Sequence, residues 1–161
     1  MKLPKINFKN KGFTLIELLI VIAIIAALAV VVFVALNPTQ RLKDSRDARR
    51  TADVETILTA VHEYIVDNKG SLPTGMTTSM AEAQLGTAAS GAAIATGGCS
   101  VIAAAGLDLS TPLAKYLKSI PTDPKTGTAA LTLYAVNVDA NNIVTVKACG
   151  TEGSPNISQS R

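Results

Sequence analysis

Residues Phe13 to Leu36 form an apolar run of 24 residues that carries one charge, Glu17, and contains neither glycine nor proline. At about 1.5 Å of rise per residue, such a helix reaches about 36 Å, enough to cross a hydrocarbon layer of about 30 Å. This block constrains everything else in the chain. The rest of the 161 residues is polar and rich in Ala, Gly and Thr, and aromatic residues make up only 4% of the chain. That leaves room for one modest domain and argues against a large enzyme core. With a single histidine, His62, multi-histidine metal sites and HExxH helices are excluded.

The formal net charge of +3 is unevenly placed. Lys2, Lys5, Lys9 and Lys11 precede the apolar run, and from Phe13 onward eleven basic residues face twelve acidic ones. The basic character belongs to a short leader, residues 1–12, and not to a nucleic-acid-binding face. Lysines before the span hold the N-terminus in the cytoplasm and send the remainder outward.

The run is too long for the h-region of an ordinary secretory signal, about 7–15 residues, although Ala26, Ala27 and Ala29 weakly imitate a cleavage site. A plain signal anchor fits the length but leaves Glu17 unexplained. A carboxylate a turn into a membrane helix is costly, about 2.5–3.5 kcal/mol at mid-helix and less near the interface. The span holds no Lys, Arg or His to pair with it. Cleavage between Gly12 and Phe13 would create an amine four residues from Glu17, available to this carboxylate or to that of an adjacent copy.

The segment Lys11-Gly12-Phe13-Thr14-Leu15-Ile16-Glu17, with the apolar helix continuing through Leu28, closely resembles the class III leader of bacterial type IV pilins and type II secretion pseudopilins. The resemblance implies that a prepilin peptidase cuts after Gly12 and N-methylates Phe13. It also implies that Glu17 sets the register between neighbouring subunits. The family often carries a helix-breaking proline within the apolar segment, where this chain has none.

Asn37-Pro38 predicts a kink or a fresh helix start, with Asn37 able to cap and Pro38 suited to the first helical position. From there a stem is expected over residues 37–69. Its residues 41–55 alternate in sign, which reads either as a solvated helix with local ion pairs or as charge complementarity between neighbouring stems. Val54, Ile57, Leu58, Val61, Tyr64 and Ile65 recur at helical spacing and form the stripe on which a head would pack. His62 reads as a surface residue. Asn68, Lys69 and Gly70 are stop signals.

A globular head is expected over residues 70–161, opening with a connecting αβ-loop at 71–109. Met80–Leu85 could form a short helix, but the composition there mainly indicates a loop, and Ser110-Thr111-Pro112 predicts a capped short helix running to Ile120. An antiparallel sheet is expected over about residues 128–149. In it Leu131, Leu133 and Ala135 alternate with Thr132, Tyr134 and Val136, a turn falls at Asp139–Asn142, and Ile143–Cys149 makes a second strand. Cys99–Ala104 is a candidate third strand. The fold class is therefore α+β, a long N-terminal helix packed on a small antiparallel sheet.

The segment from Leu117 to Pro124, then Tyr134 and the closing Val144–Ala148 strand, is similar to the sheet-entering region of pseudopilins and related pilins. The acidic, glycine-rich calcium loop of the major pseudopilin type is not evident, and Asp123 and Asp139 alone cannot cage a hard cation. This moves weight toward a pilus subunit. Cys99 and Cys149 form an even pair in a segment expected outside the cytoplasm, so a disulfide is the natural reading and two buried thiols the alternative. Zinc binding does not suit two sulfurs without a nearby histidine.

No Gly-Lys dipeptide, G-x-G or G-x-S-x-G occurs, so no phosphate loop, dinucleotide fingerprint or nucleophile elbow is present. No catalytic residue, cofactor or metal is expected. The sequence points to a structural subunit, polymerised through its apolar helix into a type IV pilus-like surface filament. The alternatives are a type II secretion pseudopilin and a minor pilin for DNA uptake or adhesion. The implied partners are further copies of the chain, a prepilin peptidase, a pilus assembly platform and the inner membrane, with DNA or surfaces under the minor-pilin reading.

Overall fold

The computed structural model describes residues 12–153 and 156–161. Residues 1–11 of the expected leader lie outside the described residues. The chain falls into two units that meet in sequence at Pro38 and Thr39.

The first unit is helix α1, Leu15–Leu36. Its uninterrupted Leu, Ile, Val and Ala residues keep the hydrogen-bond ladder intact, and it ends at Asn37, which adopts a left-handed conformation with φ 40°. Asparagine tolerates that region better than β-branched residues do, which suits it to close a helix. Pro38 then opens helix α2, Pro38–Asp67, where its missing amide proton costs nothing.

The second unit is an α+β head of pilin-like kind, in which α2 packs on a four-stranded sheet. The strands are β1 (Ala83–Gln84), β2 (Tyr134–Val138), β3 (Val144–Ala148) and β4 (Ile157–Ser160), ordered β1-β2-β3-β4 with every neighbouring pair antiparallel. The β2–β3 hairpin closes where the turn is expected. The Asp139 carboxylate accepts the amides of Asn141 and Ile143 at 2.7 and 2.8 Å, and Asn142 takes φ 62°.

The core follows the α2 stripe. Val54, Ile57, Leu58 and Val61 are buried against Tyr134, Val136, Val138, Val144 and Val146, with Tyr64 and Ile65 partly buried at the edge. Strand β2 is buried on both faces, because its Ala135 packs on the other side against Val101 and the two cysteines. Cys99 and Cys149 are joined in a disulfide with Cα atoms 5.4 Å apart.

Four local expectations are corrected. Residues 80–85 form no helix; Ala83 and Gln84 are extended as β1, since β2 offers a free edge whose hydrogen bonds outweigh weak helix propensity. Ser110–Tyr116 is a succession of turns, ended before a regular helix develops. Cys99–Ala104 contributes only a single bridge, Val101 to Ile94, and the further sheet strand is β4, from the C-terminal segment. The regular sheet also begins at Tyr134, not near residue 128, because Leu133 has φ 62° and breaks the extended run.

Candidate assembly site

Gly12 and Phe13 precede α1 in non-helical chain. Both are exposed, Phe13 at 84% of its surface, and the space around Gly12 is open. The peptide bond between them is thus accessible in the described chain. Every residue of α1 is exposed as well, and no side chain of the helix is buried. Its 22 residues span about 33 Å, and it opens the one helical stretch of the described chain long and apolar enough to cross a membrane.

Glu17 lies in the first turn of α1, where its side chain is not left alone. Thr14 is the N-cap: its hydroxyl accepts the Glu17 amide at 3.3 Å, while the Glu17 carboxylate accepts both the Thr14 amide and the Thr14 hydroxyl at 2.8 Å. This reciprocal capping box satisfies two amides that a helix start leaves without partners. The expectation that the chain offers Glu17 only a new terminus is corrected by it. The signal was present in the sequence as Thr-x-x-Glu at the head of an apolar run.

A second set of functional groups was missed from sequence. Asp47 and Arg50, read there as part of a solvated charge run, are buried in the head at 5% and 0% exposure. Arg50 donates to both carboxylate oxygens of Asp123, at 2.5 and 3.1 Å, and to Asp47 at 2.7 Å. Asp123 also accepts the amides of Lys125 and Thr126, and Asp47 accepts those of Glu152 and Gly153. Arg46 and Lys125 pair with Glu152 at the rim. A periodicity search finds apolar stripes, but it cannot find a buried cation whose partner is 73 residues away.

These contacts shift the acids. Burial pushes the Asp123 carboxyl up, but the Arg50 guanidinium and the two amides outweigh it and hold it below the ordinary range. Glu152 is pulled down to about 2, first by Arg46 and then by Lys125. The cluster is a closed structural clasp, with each acid occupied by partners of its own chain. Its work is to tie the segment after β3 and the 123–126 turn to α2.

His62 is half-buried, with its Nε2 3.1 Å from the Arg161 carbonyl oxygen. Glu82 lies within 4.8 Å of the cysteine sulfurs, but those sulfurs are bonded to each other and its carboxylate is engaged by Lys147 and the Ser100 amide. That trio offers no thiolate for a metal.

An accessible Gly-Phe bond, a capped helix start and an exposed apolar helix thus follow one another in sequence. Residues 7–33 match the family model described as the prokaryotic N-terminal methylation motif. The chain carries a prokaryotic N-terminal methylation motif. No curated protein and no solved structure matches the chain. The match ends at residue 33, so the head rests on its own topology: α2 against the four-stranded antiparallel sheet described above. Within the matched segment, Gly12 and Phe13 stand before the helix, and Thr14 and Glu17 form its cap.

Proposed function

We propose that this chain is a structural subunit of a type IV pilus-like filament. On this reading a prepilin peptidase cuts between Gly12 and Phe13 and methylates the new amine. The subunit waits in the cytoplasmic membrane with its N-terminus inside, and an assembly platform then moves it into the filament. One observation carries the reading: α1 exposes all 22 of its residues, almost wholly apolar, and most of it lies within the segment that matches the methylation motif. So large an apolar surface is stable in lipid or against other copies, not in water.

Assembly exchanges lipid for neighbouring helices and keeps that surface dry. Glu17 supplies what an all-apolar helix lacks, a position that distinguishes one register from another. Cleavage places a cationic amine on Phe13, beside the Thr14 that already holds Glu17. A neighbour docked out of register would leave a carboxylate in an apolar seam without its partner.

The test is the N-terminus and mass of the protein taken from cells and from sheared surface filaments. Filament-borne chains beginning at N-methyl-Phe13 support the reading. A monomer in bilayers that still carries residues 1–12 overturns it.

A further inference from the structure

The face of α2 turned away from the head core is itself patterned. Arg41, Arg49, Glu55 and Glu63 are exposed and fall on one side of a 3.6-residue helix, with Ala48, Ala52, Thr56 and Thr59 between them. Most other charges of α2 are engaged by the head: Arg46 by Glu152, Arg50 by Asp123, Asp53 by the Tyr134 hydroxyl, and Asp67 by Lys115. Arg41, Glu55 and Glu63 make no ion pair among the described residues. Arg49 only reaches Asp53 at 4.0 Å, with 69% of its side chain exposed. Asp44, on the flank, is held by Gln40.

The spacing of these four charges is regular. Fourteen residues separate Arg41 from Glu55, and the same number separates Arg49 from Glu63. Fourteen residues are close to four helical turns and about 21 Å of rise. One translation therefore superimposes both basic positions on both acidic ones. Shifts of about 9 Å (Arg49 to Glu55) or about 33 Å (Arg41 to Glu63) would match a single pair.

We propose that this face seats a second copy of the chain, parallel to the first and displaced by about 21 Å along α2, with its Arg41 and Arg49 set against Glu55 and Glu63. The proposal rests on the filament reading and adds the surface and the stagger. The face is complementary to itself, basic in its first turns and acidic in the next, which suits neither a polyanion nor a polycation along its whole length. Its short Ala and Thr side chains allow close approach of helix axes. Beside the acidic half lies a shallow groove of about 340 Å³, walled by Glu55, Thr59, Glu63 and Tyr116, that can receive a guanidinium. Pairs of this exposed kind contribute mainly by selecting register and rejecting wrong ones, since like charges brought together repel.

The experiment is a charge swap in the full-length chain, read by the yield of sheared filaments, with membrane level, N-terminal maturation and thermal melting followed for each variant. Glu55→Arg with Glu63→Arg, and separately Arg41→Glu with Arg49→Glu, should each lower filament number ~10-fold or more by placing like charges together. The four substitutions combined should restore it to within about threefold, because the charge pattern is complementary again. Normal filament yield from either reversal overturns the proposal and leaves the filament reading standing. So does failure of the combined variant to recover while its melting temperature and maturation match those of the unaltered chain. Absence of filaments from the unaltered chain sinks both together.

Discussion

The guanidinium of Arg50 on α2 grips both oxygens of Asp123, 73 residues further along the chain, at 2.5 and 3.1 Å, and neither side chain is more than 4% exposed. A bidentate pair of this kind is planar and directional, so it fixes the turn at residues 123–126 against one turn of the helix. Asp47, one helical turn before Arg50, completes the clasp by receiving the amides of Glu152 and Gly153.

Removing Asp123 takes two hydrogen bonds from the buried guanidinium and leaves it Asp47 at 2.7 Å and Glu152 at 3.5 Å. Asp123→Ala should cost about 1.5–3 kcal/mol of head stability, the scale of hydrogen bonds made to a charged group. Urea denaturation of the full chain in detergent measures it. A loss under about 1 kcal/mol, the scale of an exposed ion pair, would show that the clasp does not hold the head.

The clasp also sets an acid limit. Glu152, held at about 2 by Arg46 and Lys125, has its pKa depressed from the ordinary 4.5. A depressed carboxylate contributes its full stabilisation above the unfolded value and loses it as pH falls through the folded one. Asp123 is lowered from 3.8 and acts in the same sense. The melting temperature should therefore stay level above pH 4.5 and fall as pH drops from there toward about 2. Glu152→Gln should remove part of that slope, and an unchanged slope in this variant would assign the acid sensitivity elsewhere.

Long periodic features were legible from residue order alone. The apolar run becomes α1, the Val54–Val61 stripe becomes the head core, and Asn37-Pro38 marks a helix boundary, since each depends on local spacing or backbone chemistry. The short elements were not legible in the same way. Strand β1 consists of two residues and exists because β2 offers it an edge, while β4 depends on pairing with β3. Arg50 looked like one charge among nine alternating ones, and nothing near it in sequence foretells Asp123. The capping of Glu17 by Thr14 was readable as a four-residue pattern.

The disulfide joins cysteines 50 residues apart and links β3's end to the loop that covers the outer face of β2. Closing a loop of that size restricts the unfolded chain by about 4 kcal/mol on the chain-entropy model. Paired Cys99→Ser and Cys149→Ser substitutions should lower head stability by about that amount, whereas the α2–sheet core should keep its secondary structure. Urea curves and circular dichroism check both parts. Equal stability with and without the bond would mean that packing of Ala135 and Val101 alone closes this side.

The Thr14–Glu17 box separates two roles of one carboxylate. Thr14→Val removes the hydroxyl that caps the helix but leaves the acid in place, so it should cost α1 about 1 kcal/mol and still allow filaments. Glu17→Ala removes the acid itself, which lowers the cost of placing α1 in lipid, so membrane insertion should be undiminished. Filaments should nevertheless be lost, because no group within the apolar seam of α1 then penalises a slipped neighbour. Membrane fractionation and electron microscopy of surface filaments read the two variants side by side. Normal filament numbers from Glu17→Ala would confine the residue to capping, and register would then have to reside in α2 or the head.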